Sequence, residues 1–315
     1  MPVDVSIIIV NYNTKEILLN CLQSIHRWPS QLACEIIVVD NASTDGSAAA
    51  VENGFPEIRL LRNAINCGFA KANNQGIGKA VGKYLLLLNP DTLFVEDAVT
   101  PLFNFMERHP EAGMAGGKIL NVDGSLQPSY FPLPNLLTIF WIAFFLNRVL
   151  PLNHVNGKWV IGHQSLPSPF LVQRLLGACL FVRQETVQKV GGFDSGFFLF
   201  SEEEDLCYRI LRQGWAIYYF PATSVIHLGG QSAAPNNPRM IVCANESKVR
   251  FFRKHYGVMA QLLFRMIWFF ALIIRMPSVL RLASSRRRDM FKAYWQSITA
   301  LFQPMTRIQT QEMPQ

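Results

Sequence analysis

The sequence predicts an α/β protein built on a mostly parallel, doubly wound sheet. Three apolar runs that end alike carry that prediction. Ser6-Ile7-Ile8-Ile9-Val10 ends in Asn11-Tyr12-Asn13, Glu35-Ile36-Ile37-Val38-Val39 in Asp40-Asn41, and Tyr84-Leu85-Leu86-Leu87-Leu88 in Asn89-Pro90-Asp91. Such runs read as strands buried on both faces. Each delivers polar side chains to one rim, the carboxyl edge at which open α/β sheets bind ligands. A lone Asn-Pro-Asp is commonly a plain turn, but three coordinated rims need another account.

The intervening segments fit helices. Lys15 to Arg27 carries Ile17, Leu18, Cys21, Leu22 and Ile25 at helical spacing. The loop Asp40 to Ser47 leads into a second helix through Asn53, and Arg59-Leu60-Leu61 is a short third strand. Asn63 to Gly68 opens a helix with Ala70, Ala72, Asn73, Asn74 and Ile77, and an acidic-capped helix spans Glu96 to Arg108. Strand–helix alternation with short loops is the pattern of a parallel sheet covered on both faces. Further on, Ala115 to Leu120 reads as a strand, Asn135 to Leu152 as a buried or interfacial helix, and Gly177 to Val182 as a return to the sheet. Glu202-Glu203-Glu204-Asp205 then opens a helix through Leu206, Ile210 and Leu211.

At 315 residues, 50% of them hydrophobic, the chain can bury one large core with an added module. Lys and Arg number 29 against 22 Asp and Glu, a net charge of +7 that suits an anionic partner or simply solubility. No basic run interleaved with aromatics occurs before the apolar C-terminal third, so lipid rather than nucleic acid is the expected anionic surface. The six cysteines are scattered without C-x-x-C spacing and read as free thiols in a reducing compartment. No signal peptide precedes the first strand, and a cytoplasmic location is expected. No G-x-G-x-x-G follows that strand, which excludes a dehydrogenase of the dinucleotide-binding type. Asn11-Tyr12-Asn13-Thr14 is not a glycine-rich phosphate loop either, which argues against a sugar nucleotidyltransferase.

Eight stretches between residue 3 and about residue 230 together resemble the inverting family-2 glycosyltransferases, in particular their rhamnosyltransferase-like branch. These are residues 6–13, 39–47, 66–74, 88–92, Gly177-Ala178-Cys179, Gly191-Gly192-Phe193-Asp194, 202–207 and His227-Leu228-Gly229-Gly230. The resemblance implies the nucleotide-diphospho-sugar transferase fold of GT-A type. It also implies transfer of a sugar, rhamnose favoured, from a nucleotide-diphosphate donor to a hydroxyl of a growing, lipid-linked cell-surface glycan. Inverting transfer needs a neutralised diphosphate leaving group and a base for the attacking hydroxyl. Asp91 falls where the family keeps a metal-binding carboxylate, so Mg²⁺ or Mn²⁺ is the implied cofactor. Many members carry Asp where this chain has Asn89, which leaves one carboxylate instead of two. His227 is a second candidate ligand, or a donor to the diphosphate.

The resemblance implies Glu203 as the general base, with Glu202 and Gly177 on the acceptor side. Three adjacent glutamates repel one another and raise the pKa of at least one, while Glu204 and Asp205 suit a helix start. Asp40 resembles the nucleoside-holding residue, with Asn11 and Asn13 lining the same cleft and Asn66, Gly68, Asn73 and Asn89 on the donor side. Asn73 reads equally as a helix cap, and Trp215 equally as an acceptor-site floor or a core residue. A sugar-binding or scaffold protein on the same fold is the non-enzymatic alternative, to which Asn89 lends some room.

A boundary near residue 256 is expected, with 1–256 catalytic and 257–315 a helical, membrane-associating segment. Met259 to Leu280 is apolar but holds Arg265 and Arg275, and Arg281 and Arg286 to Arg288 follow. A charge at the centre of a span costs about 2.5–3.5 kcal/mol on insertion scales. An amphipathic helix lying in an anionic bilayer surface reconciles the two features better than a crossing. A helix packed on its own domain or a partner subunit remains the plainer alternative.

Overall fold

The computed structural model describes residues 2–150, 152–156, 158–161, 167–229, 238–279 and 284–302. Gly230, Leu280, Arg281 and the tail from 303, all named above, lie outside them. The three apolar runs form β1 (Val5–Asn11), β2 (Cys34–Asp40) and β4 (Tyr84–Leu88), with β3 (Arg59–Arg62) at the edge. Then follow β5 (Thr92–Phe94), β6 (Ala112–Leu120), β7 (Leu126–Gln127), β8 (Tyr130–Phe131), β9 (Leu152–Val155), β10 (Lys158–Ile161), β11 (Phe170–Leu171), β12 (Arg174–Leu175), β13 (Cys179–Arg183) and β14 (Ala216–His227). The main sheet runs β11-β14-β6-β13-β4-β1-β2-β3, with β5 on β14 and β7 on β6. Pairing is parallel from β4 through β1 and β2 to β3, and again between β6 and β14. Within the sheet β13 is antiparallel to both β4 and β6, and β11, β5 and β7 also pair antiparallel, on β14, β14 and β6.

Helices α1 (Lys15–Arg27), α2 (Ser47–Gly54), α3 (Phe69–Ile77) and α4 (Val99–Arg108) cover the sheet. Alternate residues of β1 enter opposite cores, as a doubly covered strand requires. Ile7 and Ile9 pack with Leu18, Leu22, Leu102 and Phe105. Ile8 and Val10 pack with Ala70, Ala72, Leu206 and Ile210. The α4 helix starts three residues later than expected, because Asp97 Oδ1 accepts from the backbone of Val99 and Thr100 at 3.0 Å and caps it there.

One expectation needs correction. Asn135 to Leu152 is not one helix: Phe145, in left-handed geometry at φ 60°, separates α5 (Leu136–Ala143) from α6 (Leu146–Val149), and Leu152 already belongs to β9. A further helix precedes Gly257, the point at which the expected C-terminal segment begins. After α7 (Gln184–Val190) and α8 (Glu202–Arg212) comes α9 (Pro238–Val279), interrupted at Gly257 (φ 82°, ψ −175°), and then α10 (Ser284–Phe302). A third core joins Phe197 and Ile139 to Phe251 and Phe252 before that interruption and to Phe264, Leu272 and Leu301 after it.

Gly76 lets α3 lie close on the sheet, since a Cβ there would sit 2.5 Å from Ile8 Cγ2. Ile8 is β-branched, fully buried and unable to swing aside. Gly76→Ala is therefore expected to cost about 1–3 kcal/mol through overpacking, more than the roughly 1 kcal/mol that alanine gains in helix propensity. Denaturant unfolding measures it, and a stabilised variant would contradict this packing.

Candidate active site

The rim begins where β1 and β2 end side by side, with Asn11 paired to Asp40. Asn11 Nδ2 donates to Asp40 Oδ1 at 3.1 Å and to Ser43 Oγ at 3.0 Å, and Asn11 Oδ1 accepts from Thr14 at 2.6 Å. Its amide protons are thus spent inside the rim. Asp40 Oδ2 accepts from Ser43 N at 3.1 Å, so each carboxylate oxygen keeps a lone pair for a further donor. Asn13, left-handed at φ 52°, holds the 43–44 loop through its own N–H and Oδ1. Asn66 Oδ1 accepts from Asn41 Nδ2 and Gly68 N at 2.8 and 3.0 Å, which makes it a loop tie. Asn73 is not the helix cap: it lies inside α3 and donates to Phe69 O at 3.0 Å. Gly68 does permit a close approach, but the neighbour is Phe198, whose carbonyl oxygen would stand 2.8 Å from an added Cβ.

The next rim group comes from strand pairing. Asn89 ends β4, its N–H bound to Ala178 O at 2.9 Å, and its Oδ1 is buried without a hydrogen-bond partner. Asp91 is not part of a helix start, because Thr92 opens β5, which pairs with β14 and sets Thr92 opposite His227. His227 Nε2 consequently lies 3.3 Å from Asp91 Oδ1. That oxygen is buried and makes no hydrogen bond. His227 Nδ1 stands 2.8 Å from Gln127 Oε1 and donates to it.

Opposite this pair, α8 opens on four acidic residues. Gly177 borders Glu203: a Cβ at 177 would touch Glu203 Cβ and Cγ at 3.5 Å. Phe200 and Ser201, both non-glycine residues at φ 67° and 62°, turn the chain into that helix. Burial raises Glu202, aided by Glu203, and one of its oxygens has no partner. Burial and then the charge of Glu204 raise Glu203, against the lowering pull of Arg174 and Lys248. Arg174 lies 3.6 Å from Glu203 and in direct contact with Glu204. Burial of Glu204 is outweighed by Lys248 and Arg174, which hold it below the usual carboxylate range. Asp205 is fully buried, yet His255, Arg209 and Lys254 at 2.6–2.7 Å overcome that burial and bring it down to about 2.

Trp215 does not join these groups. It precedes Ala216, at the end of β14 away from His227, packs on Gly113 and lies 5.1 Å beneath Lys189 Nζ. It is a packing residue there, not an acceptor-site floor. Arg174, Lys248 and Gln127 escape the sequence reading. Arg174 and Gln127 sit on two-residue strands without motifs, and Lys248 lies beyond the recognisable stretches.

Residues 6–155 match Glycosyl transferase family 2, and residues 84–302, more than half the chain, match Glycosyl transferase family group 2. The chain belongs to glycosyl transferase family group 2. This glycosyltransferase is 29% identical over 237 residues to the N-acetylglucosaminyl-diphospho-decaprenol L-rhamnosyltransferase of Mycobacterium tuberculosis, covering 70% of this chain and 76% of that protein. It is 28% identical over 167 residues to the rhamnosyltransferase WbbL of Escherichia coli, across 51% of this chain and 60% of that one. Its fold resembles that of the mannosyltransferase PcManGT from Pyrobaculum calidifontis, solved with GDP-Man and Mn²⁺, at a TM-score of 0.54 and 16% identity over 96% of this chain and 86% of that one. GalNAc-T7, solved with UDP, GalNAc and Mn²⁺, gives 0.56 and 16% over 84% of this chain and 54% of its own. The GT-A type fold expected from the sequence is the one observed.

Arg174 gives the glycosyltransferase a pH signature at Glu203. Its guanidinium opposes the upward shift from burial, so its removal raises Glu203 further and leaves less carboxylate at a given pH. Arg174→Met is expected to move the acidic limb of the kcat/KM profile to higher pH. A limb that stays in place or moves down would remove Glu203 as the group read by that limb.

Proposed function

We propose that this glycosyltransferase moves a sugar, rhamnose favoured, from a nucleotide-diphosphate donor onto a glycan hydroxyl with inversion. The observation that carries the reading is the buried pair Asp91 and His227. Asp91 Oδ1 makes no hydrogen bond although His227 Nε2 is 3.3 Å away, and in the neutral ring Nε2 keeps its lone pair because Nδ1 donates to Gln127. Two acceptors facing each other repel unless a cation joins them, so these residues fit a divalent metal. Among the described residues no cluster of three or more His, Cys, Asp or Glu side chains forms a metal site. Two protein ligands leave the remaining positions to water and phosphate oxygens, the usual arrangement for Mg²⁺. Bound there, Mg²⁺ or Mn²⁺ neutralises charge on the departing diphosphate.

The rest of the reading uses the chain's own groups. Asp40 offers its spare lone pairs to the nucleoside, and Asn13 and Asn89 border the same donor side. Asn11, Asn66, Gly68 and Asn73 hold that side in shape. Glu203 takes the proton from the attacking hydroxyl, since its raised pKa suits a base working near neutrality. Glu202 and Gly177 flank it on the acceptor side. The activities of the two rhamnosyltransferase relatives support rhamnose, and that of the mycobacterial one supports a lipid-linked acceptor.

Such an acceptor favours attachment to the inner face of the cell membrane. Met240–Pro277 is long and apolar enough, by length and composition, to cross a membrane. The Gly257 interruption and the exposure of Met266, Phe270 and Ile274 on α9 and of Trp295 on α10 favour a surface-lying hairpin. Arg275 donates to Ile142 O and Ala143 O at 3.1 and 3.2 Å, so it ties α9 to α5 and does not face lipid as an isolated charge. We divide the chain at 256–257 on this basis, as catalytic and membrane-attaching parts that share one core.

Asp91→Ala is expected to abolish metal-dependent binding of thymidine diphosphate in calorimetry while the chain stays folded. Glu203→Gln should retain that binding and cut turnover by about 10²–10⁴-fold. Donor binding unchanged in the first variant, or turnover unchanged in the second, would remove the residue from its role. Phe270→Glu with Trp295→Glu is expected to weaken cosedimentation with anionic vesicles strongly. High salt should weaken it only in part, because basic residues such as Arg287 and Arg288 add about 1 kcal/mol each. Full binding by the double variant would place the attachment elsewhere.

A further inference from the structure

The hairpin between β6 and β7 carries no motif, yet it holds a row of side chains that ends on His227. Its starting point is Asp123, a carboxylate that only accepts hydrogen bonds. Ser125 Oγ lies 2.6 Å from Asp123 Oδ1 and therefore donates to it. With its single proton spent, that hydroxyl accepts from Asn121 Nδ2 at 2.9 Å. Asn121 is thereby oriented with Oδ1 toward Gln127, and accepts from Gln127 Nε2 at 3.3 Å. Gln127 in turn presents Oε1 to His227 Nδ1 at 2.8 Å, and an amide oxygen there requires the proton on Nδ1.

Each step is set by the one before, and strand register brings the row to the site. Gln127 pairs with Ile119 across β6–β7, and Leu120 pairs with Ile226, the residue before His227, across β6–β14. The far nitrogen faces the other candidate ligand: Nε2 lies 3.3 Å from Asp91 Oδ1, a buried oxygen that makes no hydrogen bond.

We infer that Gln127 is a positioning residue that holds His227 in the Nδ1–H tautomer and keeps its Nε2 lone pair aimed at the cation position beside Asp91. This rests on the reading of Asp91 and His227 as the metal-binding pair. A ligating histidine whose second nitrogen is fixed by an acceptor is better oriented and more basic than a free one, and loss of such a partner commonly weakens metal binding about 10–100-fold.

The test uses the full chain with ¹⁵N-labelled histidine, the His227 signals being assigned by their absence in His227→Ala. Without metal, His227 is expected to show a protonated Nδ1 and an unprotonated Nε2, and Gln127→Met should shift this ring toward the Nε2–H form. In calorimetry with Mn²⁺ and thymidine diphosphate, Gln127→Met should lose about 10–100-fold in Mn²⁺ affinity. Gln127→Glu, which keeps an acceptor toward Nδ1, should recover most of that loss. An Nε2–H ring or an imidazolium in the wild-type protein at neutral pH overturns the inference, whatever the variants do. Unchanged Mn²⁺ affinity in Gln127→Met overturns the role of Gln127 and leaves the metal reading standing. Unchanged affinity in His227→Ala removes His227 from the metal site, and the inference with it.

Discussion

Four consecutive carboxylates, Glu202 to Asp205, are packed into the first turn of one helix, and much of the structure is arranged to hold them there. The helix dipole helps, but its contribution of about 0.3–1 kcal/mol per charge is small beside the several kcal/mol of desolvating each ion. The compensation is uneven along the turn. Glu204 has Arg174 and Lys248, and Asp205 has Arg209, Lys254 and His255. Among the described residues Glu203 makes a single, longer ion pair, with Arg174 at 3.6 Å, and one oxygen of Glu202 has no partner. The paired carboxylates are pulled down and the unpaired ones pushed up. One short helix thus supplies both a structural anchor and a group able to take a proton.

That compensation explains why α9 belongs to the catalytic architecture. Lys248, Lys254 and His255 all lie on it before Gly257, and Ser247 Oγ donates to Leu199 O at 2.8 Å in the turn that precedes Glu202. The turn needs support, because left-handed geometry at Phe200 and Ser201 costs about 1–2 kcal/mol per residue. Without α9, buried anions would stand uncompensated and the strained turn would lose a tie.

The parts of this arrangement visible in the sequence are those written in local pattern. The apolar runs of β1, β2 and β4, the period of α1 and the polar rim residues Asp40, Asn89 and Asp91 are legible because burial on two faces and an abrupt polar stop leave a clear trace. The family resemblance put Gly177 on the same side as Glu203, and the two are in contact. What stayed hidden depends on partners distant in the chain. Nothing near Arg174 marks it as the counterion of Glu204, thirty residues on. Phe145 gave no local warning of a left-handed break, since aromatic and apolar neighbours suit a helix equally well. Trp215 illustrates the reverse case, in which a conspicuous residue after a glycine is used for packing at the far end of β14.

The α3 segment and the segment leading to Glu203 are also joined directly, in addition to the shared sheet. Asn74 on α3 donates to Phe193 O at 2.7 Å and accepts from Phe193 N at 2.8 Å, so one amide replaces a backbone partner across 119 residues. A few residues on, Phe69 N donates to Phe198 O at 2.7 Å, in the space that Gly68 leaves open. The glycine expected to make room for a nucleoside makes room for the segment leading to Glu203. Because Phe193 and Phe198 flank the run into the Phe200–Ser201 turn, a shift of α3 would carry that turn with it. The spacing between the Asp40 rim and Glu203 is thereby tied by the Asn74 side-chain amide and by one backbone hydrogen bond.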